Sequence, residues 1–221
     1  MERPIDIQLQ KLRVKLIKMC SIVEEQLDLA LKSFESENKH LADIVINNDL
    51  NVDRYDDKIE KVCQKIFALN NPVAVDLRNI MSALKINTNL ERVSDLAVNI
   101  ARISKDLINT PEYFNRLHIN EIGKLTKQML DFAIDSYVHN DAEKGVEIIG
   151  IDNKLDLMVK NDGNMLIEIM KETPNNINTG ILTYSLLQEL ERIGDHSTNI
   201  AEEVYFIVKG ENIKHRTGNK G

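Results

Sequence analysis

The sequence predicts an all-α protein made of two tandem three-helix bundles, six long antiparallel helices in all, related by internal duplication. Three observations support this prediction. Apolar residues recur at three- and four-residue spacings, all nine glycines lie at position 123 or later, and one twelve-residue segment occurs twice. The spacing is that of amphipathic helices, and a first half without glycine lacks the turns that β-hairpins favour.

Prolines and polar breaks mark the helix boundaries. Three prolines each follow a good N-cap residue, in the pairs Asn71-Pro72, Thr110-Pro111 and Thr173-Pro174. Proline suits the first helical position because that position needs no N–H donor. Polar segments at 35–38 and 140–141 add two breaks, and Gly210 follows the last helix. The predicted helices are 6–34, 38–70, 72–108, 112–139, 141–172 and 175–209.

The apolar stripes within these helices predict the core. The stripes consist of Leu9, Leu12, Leu16, Met19, Val23, Leu27 and Ala30 in the first helix, Ile80, Ala83, Leu90, Val93, Ala97 and Ile100 in the third, and Val159, Leu166, Ile169 and Met170 in the fifth. Long helices joined by short loops pack antiparallel, so each half forms one bundle. The predicted divisions are a first repeat at 1–110, a second at 111–210 and a flexible polar tail at 211–221.

Composition and motifs exclude several classes of protein. A net charge of −7 argues against nucleic acid as the main partner, because phosphate backbones are held by surplus Lys and Arg. The mixed charges of the N-terminus do not resemble a signal peptide, and no apolar run approaches the roughly 20 residues that cross a bilayer. Cys20 and Cys63 lack metal or redox spacing and are expected to be core residues in a reducing cytoplasm. The chain has no GxxxxGK[ST], GxSxG or HExxH motif.

The duplicated segment carries the functional information. LERVSDLAVNIA at 90–101 recurs as LERIGDHSTNIA at 190–201, and each copy is preceded by a proline turn and an earlier acidic pair. The acidic couples, each spaced i, i+4, are Asp49 with Asp53 and Glu91 with Asp95 in the first half, and Asp152 with Asp156 and Glu191 with Asp195 in the second. At about 1.5 Å per residue, both couples of a hairpin lie roughly 28 Å from its turn. Each hairpin can therefore gather four carboxylates.

Four clustered carboxylates repel one another, which should raise their pKa values or recruit a cation. An oxygen-only ligand set favours Mg, Mn, Ca or iron over ions that prefer thiolates. Asn99 and Asn199 extend each acidic row by one turn, and His196 could add a nitrogen ligand in the second half. The alternative is that the carboxylates form solvated helix faces paired with Arg92 and Arg192. For His196 alone, an exposed side chain is favoured over a metal ligand.

The doubled segment resembles the signature of the PhoU family, and PVAVDLR at 72–78 resembles the element that precedes the family's first signature. The order of elements matches from about residue 5 to residue 210. The sequence departs from the family pattern at Leu50 and Asn153, where a second Asp is common, and at 178–180, where no second Asp-Leu-Arg element occurs. These departures leave the number of metal ligands open.

The resemblance implies metal clusters at Asp49, Asp53, Glu91 and Asp95 and at Asp152, Asp156, Glu191 and Asp195. It implies divalent or trivalent ions, with iron, Mg, Mn and Zn as candidates, and a homodimer. It also implies a cytoplasmic, non-enzymatic accessory that restrains the phosphate ABC transporter through its ATPase subunit and keeps the phosphate-sensing histidine kinase inhibitory when phosphate is plentiful. Two alternatives stay open. A carboxylate-bridged di-metal enzyme is disfavoured because no Glu-x-x-His lies beside either cluster, and the other alternative is a metal-free helical adaptor for another phosphate carrier.

Overall fold

A computed structural model describes residues 3–107, 109–211 and 213 of the chain. Within these residues there are six α-helices and no strand, which confirms the all-α prediction. The helices are α1 Pro4–Glu35, α2 Lys39–Leu69, α3 Ala74–Asp106, α4 Ile119–His139, α5 Ala142–Glu172 and α6 Ile177–Lys209. Two short 3₁₀ helices, Glu112–Arg116 and Pro174–Asn176, precede α4 and α6.

The helices pack as two three-helix bundles, as the sequence predicts. Helices α1, α2 and α3 contact one another, as do α4, α5 and α6, and the repeats meet along a seam where α3 packs on α6 and α1 on α4. The predicted stripes lie in one core cluster that continues across this seam. Leu16 and Leu90 in the first repeat and Leu130 and Leu190 in the second are at most 1% exposed. The duplicated sequence thus builds two bundles that share a single core.

Polar residues at the predicted breaks end and begin the helices. The side chain of Asn38 accepts hydrogen bonds from two backbone N–H groups at the start of α2, and Asp141 does the same for α5. Asn140 closes α4 in the left-handed conformation with φ 53°, and Gly210 closes α6 with φ 74°. Glycine takes that conformation without steric cost, which explains its place after the last helix.

The helix after Pro72 begins two residues later than the sequence predicts. Val73 is extended, and the side chain of Asp76 accepts a hydrogen bond from its backbone N–H at 3.3 Å. This bond satisfies a donor that the first helical turn leaves unpaired, so α3 begins at Ala74. The other end of α3 is Asp106, and residue 108, the predicted end, lies outside the described residues.

The single helix predicted at 112–139 is wrong in its first part. Pro111 opens a 3₁₀ helix that ends at Arg116, Leu117 is extended, and α4 begins only at Ile119. Asp162 in α5 accepts the backbone N–H of His118 at 2.6 Å. This long-range bond fixes the start of α4 where no sequence signal of a cap is present.

Both cysteines are free and buried, as predicted. The predicted tail lies mostly outside the described residues, which include only positions 211 and 213 of it. Within the described part of the chain, none of the helices has the length and apolar character that crossing a bilayer requires.

Candidate metal centre

Helices α2 and α3 bring the first two acidic couples face to face. Loss of hydration raises the pKa of Asp53, and the charges of Asp49 and Asp95 raise it further. Loss of hydration also raises the pKa of Glu91, with Asp95 and, more weakly, Asp53 adding to the effect. These effects indicate that carboxylates on α2 and α3 act on one another across the hairpin, and a shared metal site for all four stays a prediction.

Local partners hold three of these carboxylates. The buried hydroxyl of Ser94 donates to Asp49 Oδ1 at 3.0 Å. The Arg92 guanidinium donates to Asp95 Oδ2 at 3.3 Å and lies 3.5 Å from Glu91 Oε2. The arginine pairing considered as an alternative is therefore present for Arg92. The Arg92 side chain is 55% exposed, so these ion pairs contribute at most about 1 kcal/mol.

Asp56 belongs to the same region, and the sequence reasoning missed it. Its carboxylate accepts a hydrogen bond from Asn87 Nδ2 at 2.6 Å, and loss of hydration raises its pKa. The Asn87 amide is buried, and its oxygen has no hydrogen-bond partner. The available signal was the i, i+3 spacing from Asp53, which places both side chains on one helix face.

Helices α5 and α6 form the second site in the same way. Loss of hydration, followed by repulsion from Asp156 and Asp195, raises the pKa of Asp152 to about 6. Loss of hydration and the same two charges raise the pKa of Glu191, whose carboxylate accepts a hydrogen bond from Gln188 at 2.9 Å. The side chain of Thr198 lies close enough to Asp152 to lower this pKa partly by hydrogen bonding, although Asp152 Oδ1 makes no hydrogen bond of good geometry. The repulsion among these carboxylates is what a cation would relieve.

Asn99 and His196 lie at the seam between the repeats. Asn99 Nδ2 donates to Glu189 Oε2 at 3.4 Å, and His196 Nδ1 lies 2.8 Å from Asn89 Oδ1. Eight residues of helix rotate Asn99 about 80° from the direction of Glu91, which turns its amide toward the other repeat. The expected exposed position of His196 is wrong because α3 packs against α6. The side chain is partly buried, and burial lowers its pKa.

A model of the PhoU domain matches residues 16–104 and 119–204, one match in each repeat. The chain belongs to the PhoU family. It is 32% identical to a phosphate-specific transport system accessory protein PhoU homolog of Zymomonas mobilis, over 99% of this chain and 92% of that protein.

Solved PhoU structures share the fold along nearly the whole chain. PhoU from Pseudomonas aeruginosa superposes with a TM-score of 0.89 at 30% identity, over 93% of this chain and 99% of that one. The phosphate transport system regulatory protein PhoU from Streptococcus pneumoniae gives 0.83 at 26% identity, over 94% and 98%.

The two PhoU acidic sites have the donor set of a hard-cation site. All eight predicted ligands are carboxylates, which are the ligands of Mg, Mn and Ca, and the repulsion that raises the pKa of Asp152 is a physical reason for a cation. Across the described residues, no three His, Cys, Asp or Glu side chains converge closely enough to hold an ion. Ser94, Arg92 and Gln188 hold several of the carboxylates in their present directions. Metal binding at these residues stays a prediction.

Removing the charge of Asp152 should stabilise the metal-free protein. Because the folded-state pKa, about 6, lies above the unfolded value of about 3.9, stability falls as pH rises through this interval. We expect the melting temperature of Asp152→Asn to exceed that of the wild type above pH 6 and to converge with it near pH 4. Thermal unfolding followed by circular dichroism in chelator tests this expectation. Glu147→Gln, an exposed change on the same helix, serves as the control. An equal gain at both pH values would contradict the assignment.

Proposed function

We propose that this PhoU protein is a cytoplasmic, metal-binding negative regulator of phosphate uptake and of phosphate-starvation signalling, and that it acts by binding rather than by catalysis. Family membership over both repeats carries the proposal. Its relatives are named as an accessory protein and a regulatory protein of phosphate transport.

The metal would be held by Asp49, Asp53, Glu91 and Asp95 in the first repeat and by Asp152, Asp156, Glu191 and Asp195 in the second. A bound cation of iron, Mg, Mn or Zn supplies positive charge that offsets carboxylate repulsion. The chain's own contribution is to present two couples from facing helices, α2 with α3 and α5 with α6. The ion would thereby fasten the two helices of each hairpin.

The partners would be the ATPase subunit of the phosphate ABC transporter and the phosphate-sensing histidine kinase. An exposed apolar patch at the start of α3 supports a docking role. Val73, Leu77 and Met81 are between 43% and 58% exposed, where a monomer in water would favour polar residues. Their i, i+4, i+8 spacing places Leu77 and Met81 on one helix face, with Val73 immediately before the helix. We name this group the α3 patch. It overlaps the segment 72–78, which resembles the family element.

Deleting the gene should test the regulatory role directly. In cells grown with plentiful phosphate, we expect deletion to raise both phosphate uptake and expression of a phosphate-starvation reporter, and a plasmid copy to reverse both. Uptake of labelled phosphate and reporter activity provide the readouts. Unchanged values in the deletion strain would refute the proposed function.

Placing a charge in the α3 patch should weaken docking without unfolding the protein. We expect Leu77→Asp to reduce recovery of the ATPase subunit in pull-downs at least about tenfold, because burying an unpaired carboxylate at an interface is costly. Leu157→Asp, which changes a comparably exposed side chain on α5, is the matched control. Equal recovery with both variants would exclude the α3 patch as the docking surface.

A homodimer is also proposed, on the family resemblance alone. Light scattering during size-exclusion chromatography measures the molar mass in solution. A mass of one 25.3 kDa chain at micromolar concentration would contradict the dimer and leave the regulatory proposal intact.

A further inference from the structure

A buried aspartate holds the residue that precedes the first helix of each repeat. In the first repeat, Asp76 on α3 is 3% exposed and accepts from the guanidinium of Arg3 at 3.0 and 3.2 Å. In the second repeat, Asp162 on α5 is 2% exposed. Its carboxylate accepts the backbone N–H of His118 at 2.6 Å and lies 2.9 Å from His118 Nδ1. Arg3 and His118 are the residues immediately before α1 and α4.

The two pairs, Arg3–Asp76 and His118–Asp162, differ in one chemical property. Arg3 carries a permanent charge, because a guanidinium does not lose its proton in proteins. His118 gains and loses its proton near neutral pH. Its ring is 62% exposed, so protons reach it freely, while the carboxylate that it faces is shielded from water. A buried carboxylate that already accepts a backbone donor binds an imidazolium more tightly than a neutral imidazole.

We propose that the His118–Asp162 pair is a proton-dependent latch that fastens the start of α4 to α5, with the Arg3–Asp76 pair as its pH-independent counterpart in the first repeat. This latch is a property of the chain itself. It requires neither bound metal nor the regulatory role proposed above.

The charges around His118 set the direction of the effect. The hydrogen bond to Asp162 raises the pKa of His118 most, followed by the charge of Asp162, and Glu121 adds a smaller increase. Glu121 is itself paired with Lys154 at 3.3 Å. Arg116 is paired with Glu172 of α5 at 2.7 Å, and Glu35 of α1 lines the cleft of about 480 Å³ beside the ring. Because the pKa is raised on folding, the latch is strongest below about pH 6.5 and weakens as pH rises through the folded-state value.

The position of the latch links it to the connection between the repeats. The segment from 107 to 118 joins α3 to α4, and the latch lies at its end. Elsewhere on this segment, Thr110 donates to the side chain of Glu37 just after α1, and Arg116 pairs with Glu172. Loss of the proton from His118 therefore loosens the point where the connecting segment enters the second bundle.

Hydrogen exchange of the first turn of α4 tests the latch in the full chain. After correction for intrinsic rates, we expect the protection of the amides of His118 and Ile122, which donate to Asp162 and to the His118 carbonyl, to be about fivefold greater at pH 6 than at pH 8. In His118→Arg this ratio should fall to about one, because the charge is then permanent. Arg3→His should introduce a pH dependence at the start of α1, where the wild type has none.

An NMR titration of His118 in the wild-type protein keeps the test independent of any variant's folding. The midpoint should lie above that of an unstructured histidine, and it should return to the ordinary value in Asp162→Asn. A wild-type midpoint at the ordinary value, or a pH dependence that persists unchanged in a folded His118→Arg protein, would overturn the proposal. Unchanged phosphate uptake in the deletion strain would count against the proposed function and would leave the latch proposal unaffected.

Discussion

Replacing Asp95 and Asp195 together with alanine is expected to abolish metal binding while leaving the helix content unchanged. Each residue belongs to a different acidic site, and each carboxylate raises the pKa of one on the facing helix, Asp95 that of Asp53 and Asp195 that of Asp152. Loss of a direct ligand should lower affinity by at least about 100-fold, since even supporting residues cost 10- to 100-fold. Elemental analysis of protein purified without chelator, combined with circular dichroism, measures both quantities.

The matched control is the double variant Asp106→Ala with Glu147→Ala, which removes two exposed acidic residues outside the sites. It should retain the wild-type metal content. If wild-type protein carries almost no metal, or if both double variants retain it equally, the eight carboxylates are not ligands. The metal-free adaptor would then be the favoured alternative.

Truncating Leu90 should produce a large loss of stability. Its side chain is fully buried in α3 within the core shared by the two bundles. Replacement by alanine removes apolar contacts and leaves a cavity, for which the expected loss is about 2–5 kcal/mol in the free energy of unfolding. Urea denaturation monitored by circular dichroism gives this quantity directly.

Leu157→Ala provides the comparison, because that side chain is 58% exposed. We expect it to change the free energy of unfolding by no more than about 0.5 kcal/mol. Leu190→Ala, at the corresponding position of the second copy, should resemble Leu90→Ala. A loss below about 1 kcal/mol for both core variants would mean that the duplicated segments do not build the core.

The regular features of this protein could be predicted because they depend on residues close together in the chain. The stripe containing Leu16 and the stripe containing Leu90 follow the helical period, and both are buried. That the charge of Asp53 acts on Glu91 across the hairpin was also expected, because helical rise is constant and a proline lies midway between them. Helix ends were predicted well at Asn38 and Gly210, whose side-chain and backbone preferences are local.

The features that could not be predicted depend on partners far along the chain. The fourth helix begins late because Asp162, 44 residues away, takes the N–H of His118. His196 contacts Asn89, which lies 107 residues earlier in the sequence. Asp56 accepts a hydrogen bond from Asn87, 31 residues away, although the helix face that it shares with Asp53 was readable from their i, i+3 spacing. None of these pairings has a periodic signal, since each depends on which helix faces align in the packed molecule.

The amino-acid sequence by itself determined the six helices, their buried faces, the duplication and the acidic couples, because helical period and rise are properties of neighbouring residues. Tertiary structure decided which polar groups meet at the seam, where α4 begins and how the carboxylates are held. Those outcomes depend on the rotation of one helix against another, and a rotation of less than a quarter turn separates a side chain at the acidic site from one at the seam.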